Sequence, residues 1–276
     1  MLFLILAISF NVLVSVLLKV AQSKNIALEQ AVAFNYISAI VLCFVLLKPA
    51  AISLEFGSIY LFLILGFLLP AGFIVMSKSI LHAGIARSDA ASRLSLFLPI
   101  IASFTIFGEE LIASRAVAIL FAFGALFCLC KKAGSKSDKS SMLWLILVFF
   151  VYGLADITFK QIAKQGNLFS STLFISFILA AIIIFVTLFI KKTLWDKKSM
   201  AAGLLLGVLN FFNILFYIKA HQVFKTNPSL VFTAMNIGVI CVGTLVGVFI
   251  FREKISKTNQ LGLLFGIISI LFLTYF

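Results

Sequence analysis

The sequence predicts an all-α integral membrane protein of ten transmembrane helices, arranged as two inverted five-helix repeats. Three observations carry that expectation: the composition, a regular series of apolar runs, and a constant offset that aligns one half of the chain with the other. Of the 276 residues, 63% are hydrophobic and 11% charged, with a mean hydropathy of +1.22. A soluble domain is about one quarter charged. So few charges cannot clothe a water-facing surface of this size, and the solvent is therefore lipid.

A spanning helix needs ~20 mostly apolar residues. Apolar runs between polar breaks place spans at 1–21, 28–48, 57–81, 86–107, 112–130, 141–163, 168–190, 199–223, 228–251 and 257–275. The breaks are Gln22-Ser23-Lys24-Asn25, Lys48-Pro49, Gly108-Glu109-Glu110, Lys191-Lys192, Asp196-Lys197-Lys198 and Arg252-Glu253-Lys254. Pro70 and Pro99 interrupt the third and fourth spans, and Pro228 opens the ninth. The first span lacks a basic leader and a clear small-residue cleavage site, so it reads as a retained span and not a signal peptide. The one linker-like stretch is 131–140, KKAGSKSDKS, at the middle of the chain. It divides a first repeat, 1–130, from a second, 141–276.

An offset of 141 pairs Leu4-Ile5-Leu6 with Leu145-Ile146-Leu147, Lys19 with Lys160, Phe44-Val45 with Phe185-Val186, Gly66 with Gly207, Lys78 with Lys219 and Ser88 with Ser229. Leucine coincidences are cheap in a chain this apolar, whereas two lysines and a glycine at one gapless offset are not. Beyond the fourth span the offset becomes 144, pairing Phe107, Glu109 and Leu111 with Phe251, Glu253 and Ile255. Five spans is an odd number, so the second copy enters the membrane inverted. Inverted repeats are characteristic of secondary transporters, in which one half rocks against the other.

The charge of +13 would suggest nucleic acid in a soluble protein, but here the basic residues lie between apolar spans and act as topology determinants. Apart from Lys19, Lys78, Lys160 and Lys219 within spans, fourteen Lys and Arg lie on one face and four (Lys48, Arg115, Lys164, Lys225) on the other. The positive-inside rule makes the richer face cytoplasmic, with both termini outward and the chain in the cell (inner) membrane. Cys43, Cys128, Cys130 and Cys241 all fall in apolar runs without metal-ligand spacing and read as small packing residues.

Two five-helix repeats, with the turns Phe107-Gly108-Glu109 and Phe251-Arg252-Glu253 before their last spans, resemble the EamA-type members of the drug/metabolite transporter superfamily. The stretches Asn11 to Lys19 and Tyr152-Gly153-Leu154-Ala155-Asp156 to Lys160 are similar to that family's first and sixth helices. The resemblance covers essentially the whole chain, and its specificity comes from the architecture with the paired Glu turns. It implies ten helices around a central cavity and the export or exchange of amino acids, other metabolites or drugs. Two departures stand out: Arg252 replaces Gly108 in the second turn, and family members often carry cytoplasmic termini.

Ionisable groups in a bilayer are costly and usually face a cavity or a partner. Asp156 is the one acid well inside a span, with Tyr152 a turn before and Lys160 a turn after, forming a single polar stripe. The repeat-related stripe on the first span is Asn11, Ser15 and Lys19. As a functional group, Asp156 is a proton-coupling or cation-binding carboxylate tuned by burial and by Lys160; as a structural one, it is half of an i, i+4 ion pair. The eighth span carries Asn210, Asn213, Tyr217 and His221 along one face, with Asn210 and Asn213 near mid-span and His221 close to the span end. Their structural alternative is interhelical hydrogen bonding. Asn236, and Arg93 with Ser95, are weaker candidates, and snorkelling suits Lys78, Lys219 and Arg93.

The resulting expectation is a transporter of a small-molecule substrate, coupled to protons through Asp156, with no metal and no cofactor. The chain has no G-x-x-x-x-G-K-[ST], which fits a secondary rather than an ATP-driven transporter. An embedded enzyme needs converging nucleophile, acid–base or metal groups; with His82, His221, one intramembrane acid and no H-E-x-x-H, the sequence points away from one. A non-transporting scaffold or lipid-handling protein has little reason to bury a polar stripe twice.

Overall fold

The computed structural model describes residues 1–24, 26–49, 56–83, 85–110, 112–130, 139–249 and 257–275. Among the described residues the regular elements are all helical. In chain order they are α1 (Leu2–Ser23), α2 (Leu28–Leu42, prolonged by a π-helical turn Cys43–Leu47), α3 (Phe56–Ala83), α4 (Ile85–Leu94), α5 (Phe97–Thr105) and α6 (Ala113–Cys130). They continue with α7 (Lys139–Lys164), α8 (Phe169–Ile190), α9 (Lys197–Val223), α10 (Pro228–Phe249) and α11 (Lys257–Tyr275). Among the described residues six stretches are long and apolar enough to cross a membrane: Leu28–Leu47, Ile59–Ala83, Met142–Lys164, Phe169–Ile190, Lys197–Val223 and Pro228–Gly247. Residues 131–138 of the expected linker and the turn Phe251-Arg252-Glu253 lie outside the described residues.

One expected span is two helices. The run 86–107 divides into α4 and α5 at Ser95-Leu96. Pro99 has no N–H to offer the Ser95 carbonyl and its ring crowds that oxygen. The Leu98 N–H takes the oxygen instead at 3.0 Å, and the Ser95 hydroxyl turns back to the Ser92 carbonyl at 2.6 Å. Gly153 of α7 lies against this break: a Cβ there would come within 2.8 Å of Leu98 Cβ and 3.0 Å of the Ser95 oxygen. Pro70, by contrast, leaves α3 continuous.

The chain forms two compact units, one of Met1–Ile74 with Thr158–Gln222 and one of Val75–Ile157 with Val223–Phe276. In the first unit α2 packs on α8 and α9 packs on α2. Gly203 and Gly207 permit the second contact, because a Cβ on either would run into the carbonyl of Ala31 or Asn35 on α2. Matching residues make matching contacts: Gly207 lies against Ser38 of α2, and Gly66 of α3 against Leu179 of α8. The offset of 141 that pairs the two glycines also pairs Ser38 with Leu179.

In the second unit α6 packs along α11. Ser269 donates to the Ala118 carbonyl at 2.8 Å, and the ring of Phe121 meets that of Phe265, its partner under the offset of 144, at 5.7 Å. The turn after α5 uses Gly108 at φ 69°, a conformation glycine adopts without a Cβ penalty. It returns the Glu109 N–H to the Ser103 carbonyl at 2.9 Å. The buried Glu109 carboxylate then accepts hydrogen bonds from the Ser229 N–H and hydroxyl, capping α10 where Pro228 opens it.

α9 has its own cap. The Asp196 carboxylate accepts from the Ser199 N–H at 3.0 Å and hydroxyl at 2.8 Å, and these bonds hold its pKa below the ordinary carboxyl value. A carboxyl depressed on folding contributes stability in full above its unfolded pKa of about 3.9 and loses it as pH falls through the folded value. Asn also caps well. Asp196→Asn therefore flattens the decline in melting temperature on the acid side of about pH 4 while changing the neutral-pH value little. Melting of the detergent-solubilised protein across that range checks it, and an unchanged acid slope would refute it.

Candidate functional site

The polar face of α9 rests on the same glycines that seat the helix. Gly203 and Gly207 bring its backbone against α2, placing Asn210 within reach of Asn35, a residue with no exposed surface. Asn210 Nδ2 donates to Asn35 Oδ1 at 3.1 Å. Two further amide atoms of this group, Asn35 Nδ2 and Asn213 Oδ1, are buried without a hydrogen-bond partner among the described residues. Each such atom costs about 1–3 kcal/mol, so a helix pair that only needed to pack would not keep them.

One turn further along α9, buried Tyr217 stands edge-on to His221, with ring centroids 4.8 Å apart, and to Phe159 of α7 at 6.0 Å. Lys160, 1% exposed, donates from Nζ to the His221 carbonyl at 3.3 Å. The structure thus joins Lys160 of the sixth-span stripe to the Tyr217–His221 end of the eighth-span stripe. Tyr152 and Asp156 precede Lys160 on α7 at four-residue steps, both half-buried.

The first-span stripe is placed differently. Asn11 is half-buried and Ser15 exposed, and the Ser15 hydroxyl donates to the Asn11 carbonyl of its own helix at 3.1 Å. Lys19 belongs to α1, but its side chain lies outside the described residues. α1 meets α9 through rings, Phe10 on Phe212 at 5.3 Å and on Phe216 at 5.7 Å, with Lys219 Nζ 5.7 Å from the Phe3 centroid. Phe216 and Tyr217 point about 100° apart on the helix, so this seam runs beside the polar face.

Sequence reasoning missed Asn35. The available signal was an amide in the middle of an apolar run, which is costly in lipid unless paired.

The cluster has no counterpart at the positions related to it by the offset of 141. The offset of 141 sets Asn210, Asn213, Tyr217 and His221 opposite Leu69, Gly72, Met76 and Ile80, and Asn35 opposite Ser176. Ser176 donates to the Thr172 carbonyl of its own helix at 2.7 Å and also reaches the Phe62 carbonyl of α3 at 3.4 Å, with no side chain as its partner in either bond. Packing residues such as Gly66 and Gly207 occur in both copies; the α9 polar face occurs in one. Among the described residues no group of three or more His, Cys, Asp or Glu is placed to hold a metal.

Residues 139–275 match the EamA-like transporter family model. The chain is 54% identical to an uncharacterized protein of Haemophilus influenzae over 282 aligned positions, covering 99% of this chain and 97% of that one. It also resembles the crystal structure of another protein, with a TM-score of 0.75 at 12% identity over 98% of this chain and 96% of that one, a likeness of fold.

Proposed function

We infer what this protein does from one premise: the chain belongs to the EamA-like transporter family. Membership makes it a membrane transporter of the drug/metabolite type. Our further reading is a secondary transporter that exports or exchanges small metabolites by alternating access, built from ten helices in two inverted repeats, 1–130 and 141–276. The recurrence of the Gly66–Leu179 contact as Gly207–Ser38 supports the duplicated architecture. The observation that carries the functional reading is the polar face present on α9 and absent from its repeat counterpart on α3. Packing demands are shared by the two copies, so a buried difference between them points to a task that only one copy performs.

In this reading Asn210, Asn213 and Tyr217, with Asn35, contact the substrate, and Asn11, Ser15 and Lys19 line its path. Asp156 is the coupling carboxylate, with Lys160 and Tyr152 setting its proton affinity. The protein lies in the cell (inner) membrane with its termini outward, an orientation that a cytoplasm-dependent C-terminal reporter reads directly.

A panel of small metabolites offered to proteoliposomes, with and without a pH gradient, tests the whole reading. Folded protein that neither accumulates nor exchanges any of them would sink it. Asp156→Asn carries a constant amide in place of a titrating group. It is expected to abolish gradient-driven accumulation while leaving exchange down a concentration gradient in place. Full proton-dependent transport by that variant would remove the coupling role.

A further inference from the structure

The loop between α8 and α9 is held in one shape. α8 closes with the Thr193 N–H on the Leu188 carbonyl at 3.1 Å and the Lys192 N–H on the Phe189 carbonyl at 3.0 Å. The buried side chain of Gln30 then clamps the loop from α2, donating to the Leu194 carbonyl at 2.6 Å and accepting from the Asp196 N–H at 2.9 Å. Ser199 accepts from the Ala27 N–H at 2.9 Å, and Lys191 pairs with Glu29 at 2.8 Å.

What this rigid loop presents is unlike a water-facing turn. Leu194 is 90% exposed and Trp195 41%, and Trp195 is braced by Phe34, Phe185 and Phe189 at centroid distances of 5.9–6.0 Å. Tryptophan in this amphipathic setting suits the headgroup level of a bilayer. Around it stand Lys191, Lys192, Lys197 and Lys198, all exposed, against two acids that are engaged locally, Glu29 by Lys191 and Asp196 by the α9 cap.

Three of those lysines sit where local physics disfavours them. Lys192 adopts φ 50°, the helix-terminating conformation that glycine fills most cheaply. Lys197 and Lys198 begin α9, at the positive end of its dipole, where cations are unfavourable. An external anion would offset the charges of Lys197 and Lys198, and Lys192 adds a third exposed cation to the same loop.

We propose that this loop binds the phosphate headgroups of anionic phospholipids through Lys192, Lys197 and Lys198, with Leu194 and Trp195 seated at the acyl boundary. The site is independent of transport. It is a fixed contact with one class of lipid, made by preorganised groups and not by a flexible basic tail.

The chain has two tryptophans, so Trp144→Phe leaves Trp195 as the sole indole reporter. That full-length protein is reconstituted in phosphatidylcholine vesicles containing equal minor fractions of brominated phosphatidylglycerol or brominated phosphatidylcholine. The anionic quencher is expected to show an apparent association constant about fivefold or more above the zwitterionic one. In the Lys192→Gln/Lys197→Gln/Lys198→Gln variant the ratio falls to one while lipid quenching of Trp195 persists. Raising salt on the Trp144→Phe protein gives the same fall through screening, without depending on how the triple variant inserts. Equal quenching by both lipids would overturn the proposal. So would a preference that survives both the triple variant and salt, or quenching of Trp195 by aqueous iodide and by neither lipid.

Discussion

Gly207→Ala is expected to be among the most destabilising single-methyl changes in this protein, although alanine is the better helix former. Propensity alone favours the substitution by about 1 kcal/mol. Against that, the new Cβ would run into the Asn35 carbonyl and come within 2.6 Å of Ser38 Cβ. The obstacle is partly backbone and cannot turn away, so α9 must back off from α2. Overpacking of this kind costs up to about 3 kcal/mol, so clash outweighs propensity by up to about 2 kcal/mol. Separation of the helices also pulls Asn210 from Asn35, which the glycine contact holds at 3.1 Å. Gly243→Ala is the control, since a Cβ there meets nothing within 4 Å among the described residues. Thermal melts of the two solubilised variants are expected to move in opposite directions, with Gly207→Ala several degrees below the parent protein. A Gly207→Ala melting point at or above the parent's would show that the two helices can part without cost.

That glycine illustrates what the sequence could and could not disclose. Gly203 and Gly207 stand four apart in plain view, and Gly207 matches Gly66 under the offset, but what each glycine makes room for lies on another helix: the Asn35 carbonyl for Gly207 and the Leu179 side chain for Gly66. Helical segments were legible because apolar runs set their length. The division of the fourth was legible in Pro99, whereas Pro70, read the same way, leaves α3 continuous, because a proline alone does not say whether neighbouring groups re-satisfy the helix around it. The Glu turn was legible as a motif, while its use as a cap on α10 depends on Ser229, 120 residues away. The same holds at the polar face of α9. Periodicity placed Asn210, Asn213 and Tyr217 on one side of a helix. It could not supply Asn35, whose partner lies 175 residues further along, nor foresee that the Ser15 hydroxyl is taken by its own backbone.

Asn213 gives the sharpest separation between a packing role and a binding role. Its Oδ1 is buried without a partner among the described residues, so the side chain now lowers stability by about 1–3 kcal/mol for that atom. Leucine has the same branched heavy-atom skeleton, is larger, and has no polar atom to leave unsatisfied. If α9 served only to pack, Asn213→Leu would be an improvement with no consequence for activity. In the transport reading the carbonyl is kept because a substrate donor meets it, and the cost is recovered when that bond forms. Asn213→Leu is then expected to raise the melting temperature of the solubilised protein and to abolish uptake of whichever panel metabolite the parent protein carries. Stability up with transport down is a signature that general damage to the fold cannot produce, since damage lowers both. Transport at the parent rate in Asn213→Leu would remove this residue from the site. A melting temperature several degrees lower would mean instead that the carbonyl is satisfied within the folded protein, and its role would be structural. The repeat supplies a reason to expect the first result: the equivalent position on α3 is Gly72, with no polar side chain at all. The glycine contact recurs at both offset-related positions, whereas the amide, and whatever it binds, belongs to one.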